Sequence, residues 1–184
     1  MRMTILDIAS LWSRRLVPGF LLVCIVSAQS INEYQLKAAF LYNFAKFVEW
    51  PAQTFNDDKD PMRICVLGTD PFGSSLTDIV SGKILSGRSF VVTSVSDTTD
   101  AARCQILFIS SSERKRLKSV FAGLRTTGIL TVGETEGFAT EGGIVNFKLE
   151  AGRIVFEINV DAATQANLRI SSKVLNLAHL VRAR

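Results

Sequence analysis

Three short, β-rich apolar runs limit the fold of this chain more than any other feature: Met62 to Leu67 (MRICVL), Cys104 to Ser110 (CQILFIS) and Gly128 to Val132 (GILTV). Each reads as a strand, and strands alternating with helical stretches suggest a sheet with helices packed on its faces. Covering both faces of a sheet requires helices between the strands, and the intervening sequence supplies them. Asp70-Pro71 follows the first run as a helix cap and first-turn proline. Ser89 to Val95 (SFVVTSV) gives a further strand, and Glu113 to Arg125 a helix with Leu117, Val120, Phe121 and Leu124 on one side. The pattern predicts a mainly parallel sheet flanked by helices.

The character changes after residue 140. Ile144 to Leu149 and Arg153 to Val160 alternate around Glu150-Ala151-Gly152, which predicts an antiparallel hairpin. Asp161 is expected to cap a short helix. Ser171-Ser172 is expected to open a last helix carrying Val174, Leu175, Ala178 and Leu180 or Val181 as its apolar stripe, with His179 beside it. The expected architecture is α/β: a Rossmann-like three-layer sandwich with a C-terminal antiparallel hairpin, in one domain from 29 to 184. A chain of 184 residues is long enough to bury such a core.

Residues 1–28 read as a secretory signal peptide. Arg2, Arg14 and Arg15 precede the apolar run Leu16 to Val26 and then Ser27-Ala28. The run is about 11 residues, too short for a membrane span of about 20, so cleavage after Ala28 and export to the periplasm are expected. Ser13-Arg14-Arg15 and Leu-Leu-Val-Cys24 are weak signals for twin-arginine export and lipidation, and Val23 is not the small residue a lipidated cysteine needs before it. Removing the signal leaves Cys65 and Cys104. In an oxidising compartment these predict one disulfide, two free buried thiols being the alternative.

The chain offers little catalytic chemistry. His179 is its single histidine, which leaves no metal cage and no nucleophile–base pair. Ser110-Ser111-Ser112 and Gly68 to Gly73 (GTDPFG) follow strand ends, where α/β proteins bind ligands. Serines before a helix are more often caps, and the glycine segment matches no phosphate-binding motif. Asp57, Asp58 and Asp60 read as solvated charge. The net charge of +4 is scattered, with one cluster at Arg114, Lys115 and Arg116, which argues against nucleic-acid binding. No cofactor or metal is expected, and the role inferred is binding or regulation. A small-molecule binder or sensor is the alternative reading, with its ligand around Gly68 to Phe72 and Ser110 to Ser112; a serine hydrolase is a weaker third.

The segment YQLKAAFLYNFAKFVEWP, residues 34–51, follows a capping-box spacing at Ser30 to Glu33 and stops at Pro51. On a helical wheel only Gln35, Tyr42, Lys46 and Glu49 form a polar strip. Leu36, Phe40, Phe44 and Phe47 share one side, and Tyr34, Leu41 and Val48 continue it. So wide an apolar arc implies burial against more than one surface, the second being the chain's own core, a second copy or another protein. Lys37, Phe40, Phe44, Phe47 and Trp50 are the candidate partner-binding residues. Lys37 falls between Phe44 and Val48, where it either snorkels or meets a carboxylate or an aromatic face.

Five ordered blocks resemble the YfiR family of exported proteins: KAAFLYNFAKFVEWP (Lys37 to Pro51), RICVLG (Arg63 to Gly68), CQILFIS, GGIVNFKLEAGRIVFEINVDAA (Gly142 to Ala163) and LRISSKVLNLA (Leu168 to Ala178). The resemblance implies a periplasmic repressor, not an enzyme. Its partner would be the periplasmic sensor domain of an inner-membrane diguanylate cyclase, and repression would lower cyclic di-GMP and biofilm formation. It further implies an outer-membrane lipoprotein that sequesters the repressor, a homodimer, and a Cys65–Cys104 bridge. Some members carry a second disulfide where this chain has Thr140 and Phe147, so redox switching is not implied here.

Overall fold

The computed structural model describes residues 24–124 and 128–182. Most of the expected signal peptide therefore lies outside the described residues, as does Arg125, the expected end of the helix from Glu113. The elements, in chain order, are α1 (Cys24–Phe47), β1 (Val48–Glu49), β2 (Met62–Leu67), α2 (Ser75–Val80), β3 (Ile84–Leu85), β4 (Arg88–Val95), β5 (Ile106–Ile109), α3 (Leu117–Leu124), β6 (Leu130–Gly133), β7 (Val145–Glu150), β8 (Arg153–Asn159), α4 (Val160–Gln165), β9 (Arg169–Ile170), α5 (Ser172–Leu175) and β10 (His179–Val181).

Eight strands form one sheet in the order β10-β8-β7-β6-β5-β2-β4-β3. From β4 to β7 all neighbours are parallel. β8 returns antiparallel to β7 through the turn at Ala151 and Gly152, whose φ angles of 48° and 76° suit a two-residue hairpin loop. The apolar runs are buried on both faces of the sheet. Ile64, Val66, Ile106, Phe108, Leu130 and Val132 point into a core shared with α1, α2, α4 and α5, while Cys65, Leu67, Leu107 and Ile109 point into a second core under α3. Each fully buried Leu, Ile, Val or Phe contributes about 1.5 to 3 kcal/mol, so the central strands carry much of the stability.

Cys65 in β2 and Cys104, two residues before β5, form a disulfide with a Cα–Cα separation of 5.9 Å. On the second face the loop after β6 folds back over the sheet. The Phe138 ring lies so close over Gly133 and Gly143 that a Cβ at either position would overlap it, and it meets Phe121 of α3 edge-on at 5.2 Å.

Several expectations are corrected. α1 runs through Ser30 without a break, so Ser30 to Glu33 is not its start, and it ends at Phe47 because Val48 and Glu49 pair with Ile170 and Arg169 of β9. Asp70 does not cap a helix. Its carboxylate accepts the Phe72 N–H in a turn, and α2 begins at Ser75. The helix expected from Glu113 is a tighter 3-10 turn, Ser111–Arg116, before α3. The cap of α4 is Asn159, whose side chain accepts from the Ala162 N–H, and not Asp161. The last helix is a single turn, and His179, Leu180 and Val181 form a strand parallel to β8. The open edge of β8 offers backbone partners to that segment, which outweighs its helical spacing.

Candidate functional site

Lys37 occupies the inward side of α1 between Phe44 and Val48, so its ammonium must be neutralised within the fold. Its Nζ lies 2.7 Å from Glu134 Oε2 and 2.6 Å from Glu33 Oε1, and 4.6 Å from the centre of the Tyr34 ring. The residue is 5% exposed, so it pairs and does not snorkel. Burial alone would lower its pKa, but the hydrogen bonds to Glu134 and Glu33 outweigh burial and hold it above the ordinary lysine value. Tyr34 is also raised, by burial and then by the charge of Glu134, whose carboxylate accepts its hydroxyl at 3.3 Å. This cluster joins the first helix to the loop that follows β6.

The other candidates on this segment have different surroundings. Phe44 is 2% exposed and packs against Phe147 and Phe156. Phe40 lies outside it, half-buried against the same two rings. Phe47 is half-buried as well, and Leu36, on the same stripe, is 46% exposed. Trp50 leaves the helix and donates its indole N–H to the Gln105 carbonyl at 3.2 Å. Of the expected polar strip, Gln35, Lys46 and Glu49 are exposed. Tyr42 is not: its ring packs against Phe90 at 5.4 Å, with Lys46 over its face. The second surface met by α1 thus includes α2 and β4 of its own chain.

At the carboxyl ends of β2 and β5 the strand order reverses, the position where open α/β sheets bind ligands. Here a side chain bridges the two loops. Ser112 Oγ accepts the Thr69 N–H at 2.9 Å, and Ser112 and Glu113 press against Gly68. Ser110 caps the following turn. Ser112 thus joins the two loops of the expected ligand position, Gly68 to Phe72 and Ser110 to Ser112, while Ser111 stays exposed. His179 lies exposed on an edge strand, and Asp57 and Asp60 brace their own loop through the Lys59 and Asn56 N–H groups. Among the described residues no group of three or more His, Cys, Asp or Glu side chains is arranged to hold a metal ion.

Open space lies elsewhere. A cleft of about 1290 Å³ runs along α3, the loop after β6 and strands β6 to β8, reaching the Lys37–Glu134 cluster at one end. Two residues central to this region, Glu134 and Asn146, escape a reading of the sequence. Glu134 meets its partner across 97 residues of chain, and its one local signal is its place directly after a strand. Asn146 sits within an apolar run, Val145 and Phe147 facing the opposite side of the sheet.

Residues 34–179 match the family model described as YfiR/HmsC-like. No curated protein matches the sequence. Among solved structures, a conserved domain protein from Vibrio cholerae O1 biovar eltor is similar with a TM-score of 0.53 at 12% identity. The match covers 80% of this chain and 59% of that one, so the chain spans less than two thirds of that structure's length. The ABC domain in complex with L-Trp from Streptococcus pneumonia matches with a TM-score of 0.46 at 12% identity, over 65% of this chain and 55% of that one. The first of these likenesses concerns the α/β fold alone. No helix among the described residues is long and apolar enough to cross a membrane.

Proposed function

This chain belongs to the YfiR/HmsC-like family, and on that basis we propose that it is a periplasmic regulator which binds the periplasmic sensor domain of an inner-membrane diguanylate cyclase and represses it. Export by the signal peptide at residues 1–28, a single regulatory domain at 29–184 in a Rossmann-like three-layer arrangement, a homodimeric state, and release by an outer-membrane lipoprotein belong to the same reading. The observation that carries it is the extent of the family match, from Tyr34 in α1 to His179 in β10, which takes in nearly every described element. The family is regulatory, and the reading assigns the chain no catalytic residue and no cofactor.

Repression of this kind needs only a difference in affinity. A binder that takes a cyclase from 99:1 active to 99:1 inactive must prefer the inactive form by about 5.5 kcal/mol. On this reading the contact is made by the outward stripe of α1, Leu36, Phe40 and Phe47, with Trp50 beside it. Lys37 and Phe44 stand behind these residues and hold the helix in place. Aromatic side chains anchored in this way lose little conformational freedom on binding.

The test is capture of the purified protein by the periplasmic domain of the membrane cyclase encoded nearby, with cyclic di-GMP measured in a deletion strain. Capture and a rise in cyclic di-GMP support the proposal; no capture and unchanged cyclic di-GMP reject it. The second reading, a periplasmic small-molecule binder or sensor, draws support from the open cleft beside α3. A ligand of that kind would raise the melting temperature without any protein partner.

A further inference from the structure

Asn146 lies on the α3 side of the sheet, opposite its neighbours Val145 and Phe147, and shares that face with Glu157 of β8. It lines the cleft there and is 1% exposed. Its Nδ2 donates to Glu157 Oε2 at 3.1 Å, and because a carboxylate only accepts, the amide cannot be turned round. Its Oδ1 is left buried with no hydrogen-bond partner. Leaving a buried acceptor empty costs about 1 to 3 kcal/mol, so the site calls for a donor.

The surroundings determine what kind of donor. Five carboxylates line the cleft, those of Glu33, Glu134, Glu136, Glu141 and Glu157, against three lysines. Lys37 pairs with Glu33 and Glu134, and Lys148 with Glu150 and Glu157, which leaves Glu136 and Glu141 against Lys118 as the lining charges outside these pairs. An anion would meet net repulsion, and a metal ion lacks a ligand cluster among the described residues. An organic ammonium meets both demands: its N–H groups satisfy Asn146 Oδ1, and its charge faces the carboxylates. The apolar wall formed by Phe121 and Leu124 of α3 suits an aliphatic chain.

We propose that this cleft binds a small aliphatic diamine or polyamine, one ammonium on Asn146 Oδ1 beside Glu157 and the other toward the exposed rim carboxylates Glu136 and Glu141. The inference is independent of the cyclase reading, since it concerns binding to the isolated protein. Putrescine and spermidine are the probes, titrated into purified protein by calorimetry with the melting temperature followed in parallel. Saturable binding and a raised melting temperature are expected. Asn146→Leu should abolish binding, and the double rim variant Glu136→Gln/Glu141→Gln should weaken it several-fold. The rim residues are exposed, so that variant stays informative even where Asn146→Leu does not fold. Absence of binding by both probes, equal binding by the rim variant, or equal binding of citrate would overturn the proposal; a water molecule then accounts for the empty acceptor.

Discussion

Replacing Lys37 by Met removes the cation that pairs with Glu134 while keeping most of the aliphatic stem. The Glu134 side chain is 8% exposed, and in the variant the Tyr34 hydroxyl is its only remaining partner from the α1 cluster. Breaking a buried pair on one side costs about 3 to 5 kcal/mol. The lower end applies here, because Glu33, at 26% side-chain exposure, returns readily to water and its i,i+4 pair contributes no more than about 0.5 kcal/mol. A loss of about 3 kcal/mol lowers the melting temperature by roughly 6 to 12 °C in a domain of this size. Urea unfolding at pH 7, followed by circular dichroism, gives the free energy. Adding Glu134→Gln to the variant should recover at least about 1 kcal/mol relative to the sum of the single changes. The pH dependence follows from the direction of the shift. Because Lys37 is held above its ordinary value in the folded protein, the stabilisation is fully present below about pH 10.4, the unfolded lysine value, and is lost only as pH rises through the folded one. The gap between wild type and Lys37→Met should stay level from pH 7 to 9. A variant within about 0.5 kcal/mol of wild type, or a cycle with no coupling, would refute the account of this cluster.

Reduction, or Cys65→Ser/Cys104→Ser, opens a loop of 39 residues and should cost up to about 4 kcal/mol on the chain-entropy account; thiol counting on unreduced protein starting at Gln29 should find none free, and two free thiols would reject the bridge. Gly143→Ala places a methyl group into the Phe138 ring and should cost about 1 to 3 kcal/mol, measured by the same unfolding assay. Leu36→Glu with Phe40→Lys changes the outward side of α1 and should abolish capture by the cyclase sensor domain while leaving the far-ultraviolet dichroism of the folded protein; retained capture would move the contact away from this stripe.

The sheet was legible because its strands are local statements. MRICVL matches β2 residue for residue, and the alternation around Glu150-Ala151-Gly152 specifies the β7–β8 pair. Elements fixed by distant partners were not legible. Val48–Glu49 leaves the helix because β9, about 120 residues later, pairs with it, and His179–Val181 becomes a strand because β8 has a free edge. The site divides in the same way. The wheel put Lys37 between Phe44 and Val48 and offered either snorkelling or a carboxylate or aromatic face, and Glu134, Glu33 and the Tyr34 ring decide between them. A buried lysine on an apolar face is a demand for a carboxylate, but no local pattern says where along the chain it is met. The pairing has a physical consequence that neither residue carries alone. Glu134 begins the loop that carries Phe138 over Gly133 and Gly143 and then the rim of the cleft. Through Lys37, the helix that presents Leu36, Phe40 and Phe47 outward is thus tied to the loop bordering the cleft. Any ligand that shifts this loop must work against the contacts of Glu134 with Lys37 and Tyr34, so occupancy of the cleft and the set of α1 would be coupled through this cluster. That coupling predicts that the effect of putrescine on partner capture, whatever its sign, is weakened in Lys37→Met protein that still folds. An unchanged effect in that variant would show that the cleft and the helix act independently.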